Sequence, residues 1–250
     1  MFNLNEGLFY TIKGVEEWQM YLIMAAFVVL IIAVSYFLGS VNSAIIISKL
    51  LYKDDIRKYG SGNAGMTNML RTFGKKAALL TLIGDLAKTA LAVLFAAVLF
   101  GFHYVYGISM QEFCYVAGLF AVLGHVFPIY YKFKGGKGVL ATATMALILA
   151  PIPFVALLLI FIAVVATSKY VSLGSVCGAC LFPVLTAGYA RIFSLPTPGI
   201  MMLSIIILAI FVVWCHRENL KRISERTERK ISFGKGKKEI IEEKKTDDAK

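Results

Sequence analysis

Long, uninterrupted apolar runs restrict the folds open to this chain more than any other feature. A run of about 18 apolar residues can cross the hydrocarbon core of a bilayer as a helix, whose backbone hydrogen bonds are all internal. Of the 250 residues, 58% are hydrophobic and 16% are charged, and the mean hydropathy is +0.74. A water-soluble domain of this length needs more polar residues than this. The chain is therefore predicted to be an all-α integral membrane protein.

The positions of the apolar runs predict about seven transmembrane helices. The stretch 139–167 is too long for one crossing, and the Pro-Ile-Pro sequence at 151–153 is typical of a tight turn, so we divide the stretch into two. The first half is short for a full crossing, and its helix could begin near Gly135. The predicted spans are 21–38, 77–100, 113–131, 139–150, 154–167, 173–189 and 199–215.

Lysine and arginine are concentrated in alternate loops, and this pattern predicts the orientation of the chain. The loop after the second span, 102–112, has no Lys or Arg, and the turn at 151–153 has none either. Cytoplasmic loops carry an excess of these residues. The N-terminus is predicted to lie outside and the C-terminus in the cytoplasm. The basic loops contain Lys49, Lys53, Arg57, Lys58, Arg71, Lys75 and Lys76 after the first span, and Lys132, Lys134 and Lys137 after the third.

The two ends of the chain are polar. Residues 1–20 have no basic start and no small-residue cleavage site, so the first apolar segment is expected to remain as a span. Residues 1–230 are predicted to form a single membrane domain. Residues 231–250, rich in lysine and glutamate, are predicted to be a disordered cytoplasmic tail.

The four cysteines, Cys114, Cys177, Cys180 and Cys215, all lie in predicted spans. Cys177 and Cys180 have the spacing of a redox pair. In an apolar helix, however, buried small residues are the better interpretation. No zinc-binding spacing is present. No metal, cofactor or nucleic-acid partner is predicted.

The first basic loop contains the sequence GSGNAGMTNMLR, residues 60–71. Its glycines permit tight turns and a close approach of the backbone to a ligand, and its N–H groups can form a nest for an anion. Arg71 offers a planar fork suited to a phosphate. The alternative is an ordinary polar linker between two spans. The candidate binding residues of this loop are Ser61, Gly62, Asn63, Thr67 and Asn68.

A second motif, GHVFP followed by KFKGGKG, leads into the fourth predicted span. Glycines at a helix N-terminus present free N–H groups and the positive end of the helix dipole, which favours an anion. Gly135, Gly136 and Gly138 provide the loop, and Lys137 adds a charge. The spacing is not that of a nucleotide-binding P-loop. The alternative, membrane anchoring by the lysines, explains the charges but not the glycines.

Two smaller groups of polar residues lie at the same predicted face. Ser172 and Ser175 are three positions apart and can share one side of a helix, although serines also pack between membrane helices. His216 and Asn219 likewise share a side at the end of the last span.

Within the second span, Asp85 and Lys88 are expected to pair and to support the first loop. A proton or ion pathway is the alternative.

Together, the sequences SGNAGMTNMLR, GHVFPIYYKFKGGKG and HRENLKRISERTERK resemble the three cytoplasmic motifs of the bacterial acyl-phosphate:glycerol-3-phosphate acyltransferases. The resemblance covers about residues 36 to 230. It implies seven spans in the bacterial inner membrane and an active site on the cytoplasmic face. It also implies transfer of a fatty acyl group from acyl phosphate to the 1-hydroxyl of glycerol 3-phosphate, giving lysophosphatidate and inorganic phosphate. A functional link to the enzyme that makes acyl phosphate follows.

The same resemblance implies roles for individual residues. Ser61 and Arg71 would be catalytic or would contact phosphate, while Lys137 and the glycine loop would bind glycerol 3-phosphate. His216 and Asn219 would complete the site, together with either Ser172 or Ser175. Glu228 matches an acidic residue with a structural role. The chain departs from the family at Arg226, where glycine is usual, and at Ser43, where proline is common.

The proton acceptor for the glycerol hydroxyl stays open between His216 and a substrate phosphate. The H-x-x-x-x-D arrangement of CoA-dependent acyltransferases is missing. A covalent acyl-serine at Ser61 is disfavoured because no base lies beside it in the sequence. Three other functions compete: a transporter for an anionic metabolite, a non-catalytic membrane scaffold and a different lipid-phosphate transferase. The transporter would need polar residues through the membrane, whereas only Asp85 and Lys88 lie deep in a span.

Overall fold

A computed structural model describes residues 12, 14–100, 104–105 and 108–231. The described chain is almost entirely helical, with two short strands between the fourth and fifth helices. The elements are α1 (Glu17–Ser40), α2 (Ser43–Tyr52), α3 (Met66–Phe73), α4 (Lys75–Phe100), β1 (Tyr104–Val105), β2 (Ile108–Ser109), α5 (Met110–Val126), α6 (Val139–Leu149), α7 (Pro151–Ser168), α8 (Val171–Ile192), α9 (Gly199–Cys215) and α10 (Arg217–Ser224).

The seven predicted spans coincide with α1, α4, α5, α6, α7, α8 and α9. Five stretches of the described chain are long and apolar enough to cross a membrane, or six if α9 and α10, bent by 51°, count as one. At 11 residues, α6 is shorter than these stretches. The number of crossings and their orientation therefore stay predictions. Large apolar side chains are exposed along the outer helix faces, as a lipid environment allows; they include Leu22, Val29, Leu94, Leu159 and Ile210.

Helices α1 and α5 pack closely because glycines lie at their contact. A Cβ atom at Gly39 would overlap the backbone of Ala121, and one at Gly124 would overlap the carbonyl of Tyr36. The Tyr36 hydroxyl also donates a hydrogen bond of 2.7 Å to the carbonyl of Phe127. Small residues let helix backbones approach one another in membranes, where lipid is as apolar as the side chains. Helix α5 also packs against α4, α6 and α9, so it lies inside the bundle.

The break between α6 and α7 confirms the predicted division of the long apolar stretch. Ala150 leaves the helical conformation with φ −141° and ψ 62°, and α7 begins at Pro151, in the first helical turn where proline is tolerated. The second helix therefore begins at Pro151 rather than Phe154. The first begins at Val139 rather than near Gly135.

The glycine loop and α6 together run alongside the whole of α5. At one end, the N–H groups of Gly135 and Gly136 donate to the carbonyls of Val126 and His125, at 3.2 and 3.1 Å. At the other end, Gln111 and Tyr115 donate to the carbonyl of Leu149, at 2.9 and 3.4 Å. Helix α6 is shorter than α5, and the glycine loop that precedes α6 supplies the remaining length along α5.

The sequence did not predict several short elements. The strands β1 and β2 pair in antiparallel fashion, with Tyr104 opposite Ser109, so the all-α prediction needs this small correction. The first basic loop contains α2 and α3, and no helix was predicted there. Helix α5 ends at Val126 rather than Tyr131, because Pro128 cannot continue it, and a 3₁₀ turn follows at Ile129–Tyr131.

All four cysteines are free thiols, and no disulfide joins Cys177 to Cys180. Cys114 is buried, and Cys177 and Cys215 are partly buried. The prediction of burial is wrong for Cys180, which lies on the exposed face of α8. An apolar thiol is compatible with lipid as well as with a protein core. The predicted tail from 232 onward lies outside the described residues, as do residues 1–11 and 13.

Candidate active site

A cavity of about 680 Å³ lies between the ends of α3, α6, α8 and α10. One part of its wall is polar. The wall continues as an apolar surface along α6, α7 and α8, formed by Ala143, Ala146, Leu157, Phe161, Ala179 and Phe182. The cavity brings together all the predicted site residues except Gly62, Gly135 and Gly136; those that line it are Ser61, Asn63, Thr67, Asn68, Arg71, Lys137, Gly138, Ser172, Ser175, His216 and Asn219.

Asn68 shapes the first loop through hydrogen bonds to the loop backbone. Its Nδ2 group donates to the carbonyls of Tyr59 and Asn63, at 2.9 and 3.0 Å, and its Oδ1 accepts from the N–H of Ser61 at 3.1 Å. Gly60, at φ +60°, packs so closely on this side chain that a Cβ atom would overlap Oδ1. Asn68 is thus committed to the loop, and Ser61 and Thr67 remain for a ligand.

An arginine that the sequence analysis did not assign to the site ties the first loop to the second motif. Arg57 forms a two-point ion pair with Asp55, with Nη2 at 2.7 Å from Oδ2. Its Nη1 also donates to the carbonyls of Tyr131 and Lys134, at 3.2 and 3.4 Å. The hydrogen bond to Arg57 lowers the pKa of Asp55 despite partial burial. The two motifs therefore hold a fixed relative position.

The glycine loop presents fewer free N–H groups than the sequence suggests. Those of Gly135 and Gly136 donate to the end of α5, so they do not face the cavity. Gly138, at φ +76°, is the N-cap of α6 and lines the cavity with the first residues of that helix. The unsatisfied N–H groups and the dipole at this helix end favour an anion. Gly62, at φ +70°, shapes the first loop outside the cavity wall.

Lys137 and Asn219 join the second motif to the last one. The Lys137 ammonium donates a hydrogen bond to Oδ1 of Asn219, and Nδ2 of Asn219 donates to Oε1 of Glu228 at 2.6 Å. Burial lowers the pKa of Lys137 to about 8, although the charge of Glu228 opposes this. A lysine in this position is still mostly charged at neutral pH and lies in the cavity wall.

Glu228 is the centre of this polar network. Its carboxylate also accepts hydrogen bonds from Ser172 Oγ at 3.0 Å and from Arg222 Nε at 2.7 Å. Burial opposes ionisation, but the hydrogen bonds from Asn219, Arg222 and Ser172 outweigh it and lower the pKa of Glu228. Of the two candidate serines, Ser172 joins the network, whereas Ser175 donates to the carbonyl of Val171 in its own helix at 2.9 Å. The family resemblance implied a structural role for Glu228, and the sequence analysis did not assign Arg222 to the site.

His216 lies just beyond α9, buried in the cavity wall. Its Nδ1 is 2.7 Å from the carbonyl of Val212. A carbonyl can only accept, so Nδ1 carries the proton, and Nε2 of the neutral ring is left with a free lone pair. Burial lowers the pKa of His216 to about 4, although the bond to Val212 opposes this. The ring is therefore a neutral hydrogen-bond acceptor at physiological pH.

Arg71 is a half-buried cation in the same wall. Its Nη2 donates to the carbonyl of Arg229 at 3.4 Å, and this is its one side-chain hydrogen bond within the described chain. Burial, with a smaller effect from the charge of Arg229, lowers its pKa. The guanidinium remains charged at any physiological pH, and its other N–H groups are available to an anion.

The segment after α10 folds back over the polar end of the cavity. Thr227, Glu228 and Arg229 line the cavity, and the N–H of Ile231 donates to the carbonyl of Lys169 at 2.8 Å. Arg226 adopts φ +58°, in the left-handed region. A glycine would adopt this conformation without strain, which accounts for the family's usual residue there.

The predicted ion pair of Asp85 with Lys88 is confirmed, at 2.9 Å between Oδ1 and Nζ. Lys88 also donates to the carbonyl of Val41 at 2.8 Å, immediately before α2. Ser43, where the family commonly has proline, is the first residue of α2 and donates to Asp85 at 3.1 Å. Within the described residues, no group of three or more His, Cys, Asp or Glu side chains could hold a metal ion.

Comparisons with known proteins agree with one another. A family model described as glycerol-3-phosphate acyltransferase matches residues 29–226. Proteins named glycerol-3-phosphate acyltransferase from Bacillus subtilis and Coxiella burnetii are 39% and 41% identical to this chain, over 82% and 83% of it and 98% and 100% of their own lengths.

Two solved structures are also similar. Both are crystal structures of PlsY (YgiH), described as an integral membrane glycerol 3-phosphate acyltransferase, in a glycerol 3-phosphate form and a lysphosphatidic acid form. Their TM-scores are 0.70 and 0.69, each at 27% identity over 82% of this chain. The matched regions cover 96% and 95% of the two solved chains.

Proposed function

This chain belongs to the bacterial glycerol-3-phosphate acyltransferase family of PlsY type, and we propose that it transfers a fatty acyl group from acyl phosphate to the 1-hydroxyl of glycerol 3-phosphate. The products are lysophosphatidate and inorganic phosphate. The observation that carries the proposal is that one cavity has both a cationic end and an apolar wall. The two substrates have matching chemistry, since they bring two phosphates and one long acyl chain.

The polar end of the cavity suits the phosphates. Arg71 and Lys137 are half-buried cations there, and the N-terminus of α6 adds its dipole. Charge-assisted hydrogen bonds in a partly buried site are stronger than those in water. The acyl chain would lie along α6, α7 and α8, against the small side chains of Ala143 and Ala146 and the ring of Phe182.

In the proposed reaction, the 1-hydroxyl oxygen of glycerol 3-phosphate attacks the acyl carbonyl carbon. A new ester C–O bond forms, and the bond between that carbon and the phosphate oxygen breaks, releasing inorganic phosphate. His216 accepts a hydrogen bond from the hydroxyl at Nε2 and orients it. Because burial lowers the pKa of His216 to about 4, a phosphate with a second pKa of about 6 is the better proton acceptor. The hydroxyl proton therefore goes to a substrate phosphate.

No acyl-enzyme is needed for this reaction. Within the described chain, no histidine or carboxylate hydrogen-bonds to the Ser61 hydroxyl, so nothing there activates it as a nucleophile. Ser61 and Thr67 instead offer hydroxyl hydrogen bonds to the substrates beside Arg71. The reaction is accelerated by stabilisation of the charge on the carbonyl oxygen and the leaving phosphate, and by alignment of the hydroxyl.

The proposed setting is the bacterial inner membrane, with seven crossings, the N-terminus outside, and the active site and C-terminus on the cytoplasmic face. The basic loops that supply Arg71 and Lys137 support this orientation, because cytoplasmic loops are enriched in lysine and arginine. The domain assignment, 1–230 as one membrane domain and 231–250 as a tail, is part of the proposal. So is a functional link to the enzyme that makes acyl phosphate.

The direct test is acyl transfer by the purified protein in lipid, with glycerol 3-phosphate and either palmitoyl phosphate or palmitoyl-CoA. We expect phosphate release and lysophosphatidate formation with palmitoyl phosphate alone. Activity with palmitoyl-CoA alone would contradict the proposed donor. Inactivity with both donors, from folded protein, would contradict the acyl-phosphate reaction and return the transporter alternative to consideration.

A further inference from the structure

A second histidine, His125, lines the same cavity and has no role in the reaction described above. It lies at the end of α5 with 5% of its side chain exposed. Its ring packs against Gly136 so closely that a Cβ atom there would overlap Nε2. The Ala64 carbonyl of the first loop is also next to Gly136, so the ring, the glycine loop and the first loop meet at this point.

The surroundings of Lys88 determine which nitrogen of His125 carries the proton. The Lys88 ammonium has three N–H groups and no lone pair. It contacts three groups: Asp85 Oδ1 at 2.9 Å, the Val41 carbonyl at 2.8 Å and His125 Nδ1 at 2.8 Å. A carboxylate and a carbonyl can only accept, so the third N–H is donated to His125. Nδ1 must then be unprotonated, and the neutral ring carries its proton on Nε2.

The Nε2–H group has no hydrogen-bond partner within the described residues, although the side chain is almost fully buried. The fully enclosed side-chain atoms that lack a partner there are hydroxyls of Ser35, Thr142 and Thr186. Since Nε2 has no partner and is not one of these enclosed atoms, it is partly accessible, and His125 lines the cavity. A buried donor without a partner costs free energy, which a ligand with an acceptor oxygen would recover.

We propose that His125 donates a hydrogen bond from Nε2 to an anionic oxygen of the acyl phosphate. Lys88 and Asp85 are positioning residues, because they fix the tautomer that makes Nε2 a donor. This inference rests on the proposed function of the cavity. His125 and His216 then have opposite roles: one presents an N–H group and the other a lone pair. A neutral donor can stabilise developing negative charge on the carbonyl or the phosphate.

Two substitutions separate this role from a packing role. In His125→Gln, the amide nitrogen can occupy the place of Nε2 and keep the donor. In His125→Asn, the shorter amide can reach only the place of Nδ1, which keeps the contact with Lys88 but loses the donor. We expect His125→Asn to lower kcat about 10²- to 10³-fold, the usual loss for one such donor, and His125→Gln to retain most of it. Equal losses, or a more active Asn variant, would overturn the proposal.

Nitrogen NMR gives a readout that does not depend on turnover. The chain has three histidines, so a ¹⁵N-histidine label is assignable with the His125→Gln variant. We expect a protonated Nε2 and an unprotonated Nδ1 for His125, a shift of Nε2 on adding palmitoyl phosphonate, and loss of the fixed tautomer in Lys88→Met. An unprotonated Nε2, or no shift at saturating phosphonate, would reject the inference. If acyl transfer fails with palmitoyl phosphate while Nε2 still shifts, the proposed reaction is wrong and the binding role of His125 stands.

Discussion

Lys137 donates a hydrogen bond to the side-chain oxygen of Asn219, although 82 positions separate them in the sequence. Asn219 can accept in this direction because its amide nitrogen is bonded to Glu228. The carboxylate therefore sets the orientation of the amide, and the amide sets the position of the ammonium. A chain of three side chains from two distant motifs fixes one positive charge in the cavity wall.

Lys137→Ala is expected to raise the KM for glycerol 3-phosphate about 10- to 100-fold, because a hydrogen bond to a charged group contributes about 1.5–3 kcal/mol. The control is Lys134→Ala, in the same loop, which removes an exposed lysine outside the cavity. Steady-state kinetics at saturating acyl phosphate measure the effect. An unchanged KM in Lys137→Ala, or an equal rise in both variants, would remove Lys137 from the phosphate site.

The pH dependence of binding follows from the pKa of Lys137, which burial lowers to about 8. Below this pH the side chain is charged and attracts the substrate dianion; above it the charge is lost. We expect the KM for glycerol 3-phosphate to rise up to about tenfold per pH unit above pH 8. In Lys137→Arg the charge persists, so the rise should disappear. A wild-type KM that stays level to pH 9.5 would contradict the assignment.

Glu228 should act through Lys137 and not independently of it. Glu228→Ala frees the Asn219 amide to turn and leaves Arg222 unpaired, so the KM for glycerol 3-phosphate should rise. A double-mutant cycle with Lys137→Ala tests the coupling. The double variant should lose less binding free energy for glycerol 3-phosphate than the sum of the losses in the two single variants, because both substitutions disrupt one network. Additive losses would indicate that Glu228 affects the substrate by another route.

Arg71→Ala is expected to lower kcat/KM at least about 100-fold while the protein still inserts into the membrane, because the guanidinium that we propose to contact a substrate phosphate is lost. Arg71→Lys should restore only part of the activity, since an ammonium cannot form two parallel bonds. Lys76→Ala, an exposed cation on α4, is the matched control. Normal turnover in Arg71→Ala, shown by size exclusion to be folded, would refute the site as described.

The apolar wall predicts an effect on acyl-chain length. In Ala143→Phe, the ring would fill part of the cavity beside α6, so kcat/KM should fall more for palmitoyl phosphate than for octanoyl phosphate. Leu147→Phe, on the exposed face of the same helix, should leave the ratio of the two substrates unchanged. If Ala143→Phe lowered kcat/KM for both substrates by the same factor, the acyl chain would have to lie elsewhere.

The sequence predicted the position of each long helix because an apolar run of this length has few other structures available to it. Short elements were missed for a physical reason: their signals are weak and local. Helix α2 depends on Asn42, whose Oδ1 accepts from the N–H of Ile45 at 3.0 Å, and α3 follows Gly65 without a side-chain cap. The end of α5 was misplaced because Ile129, Tyr130 and Tyr131 carry no charge and so extend the apolar run beyond Pro128.

For the site, the motifs identified the residues but not their partners. Asn68 looks like a ligand in the sequence, yet its amide is bonded to its own loop. Gly135 and Gly136 look like an anion nest, yet their N–H groups donate to α5. His125 lies inside a quoted motif, and its role depends on Lys88, 37 positions earlier. In each case the deciding hydrogen bond is to a residue at least five positions away, and the motif itself does not show which residue that is.

The turn between α6 and α7 bears on how the chain enters the membrane during synthesis. No Asp, Glu, Lys or Arg occurs from 138 to 168, whereas Lys137 and Lys169 flank the segment on both sides. The two helices can therefore insert together as a hairpin. No charge is then moved through the hydrocarbon, and a lysine stays at each of the two ends of the hairpin. With the proposed topology, Lys137 would also act as a topological anchor, so removing its charge would test biogenesis as well as substrate binding.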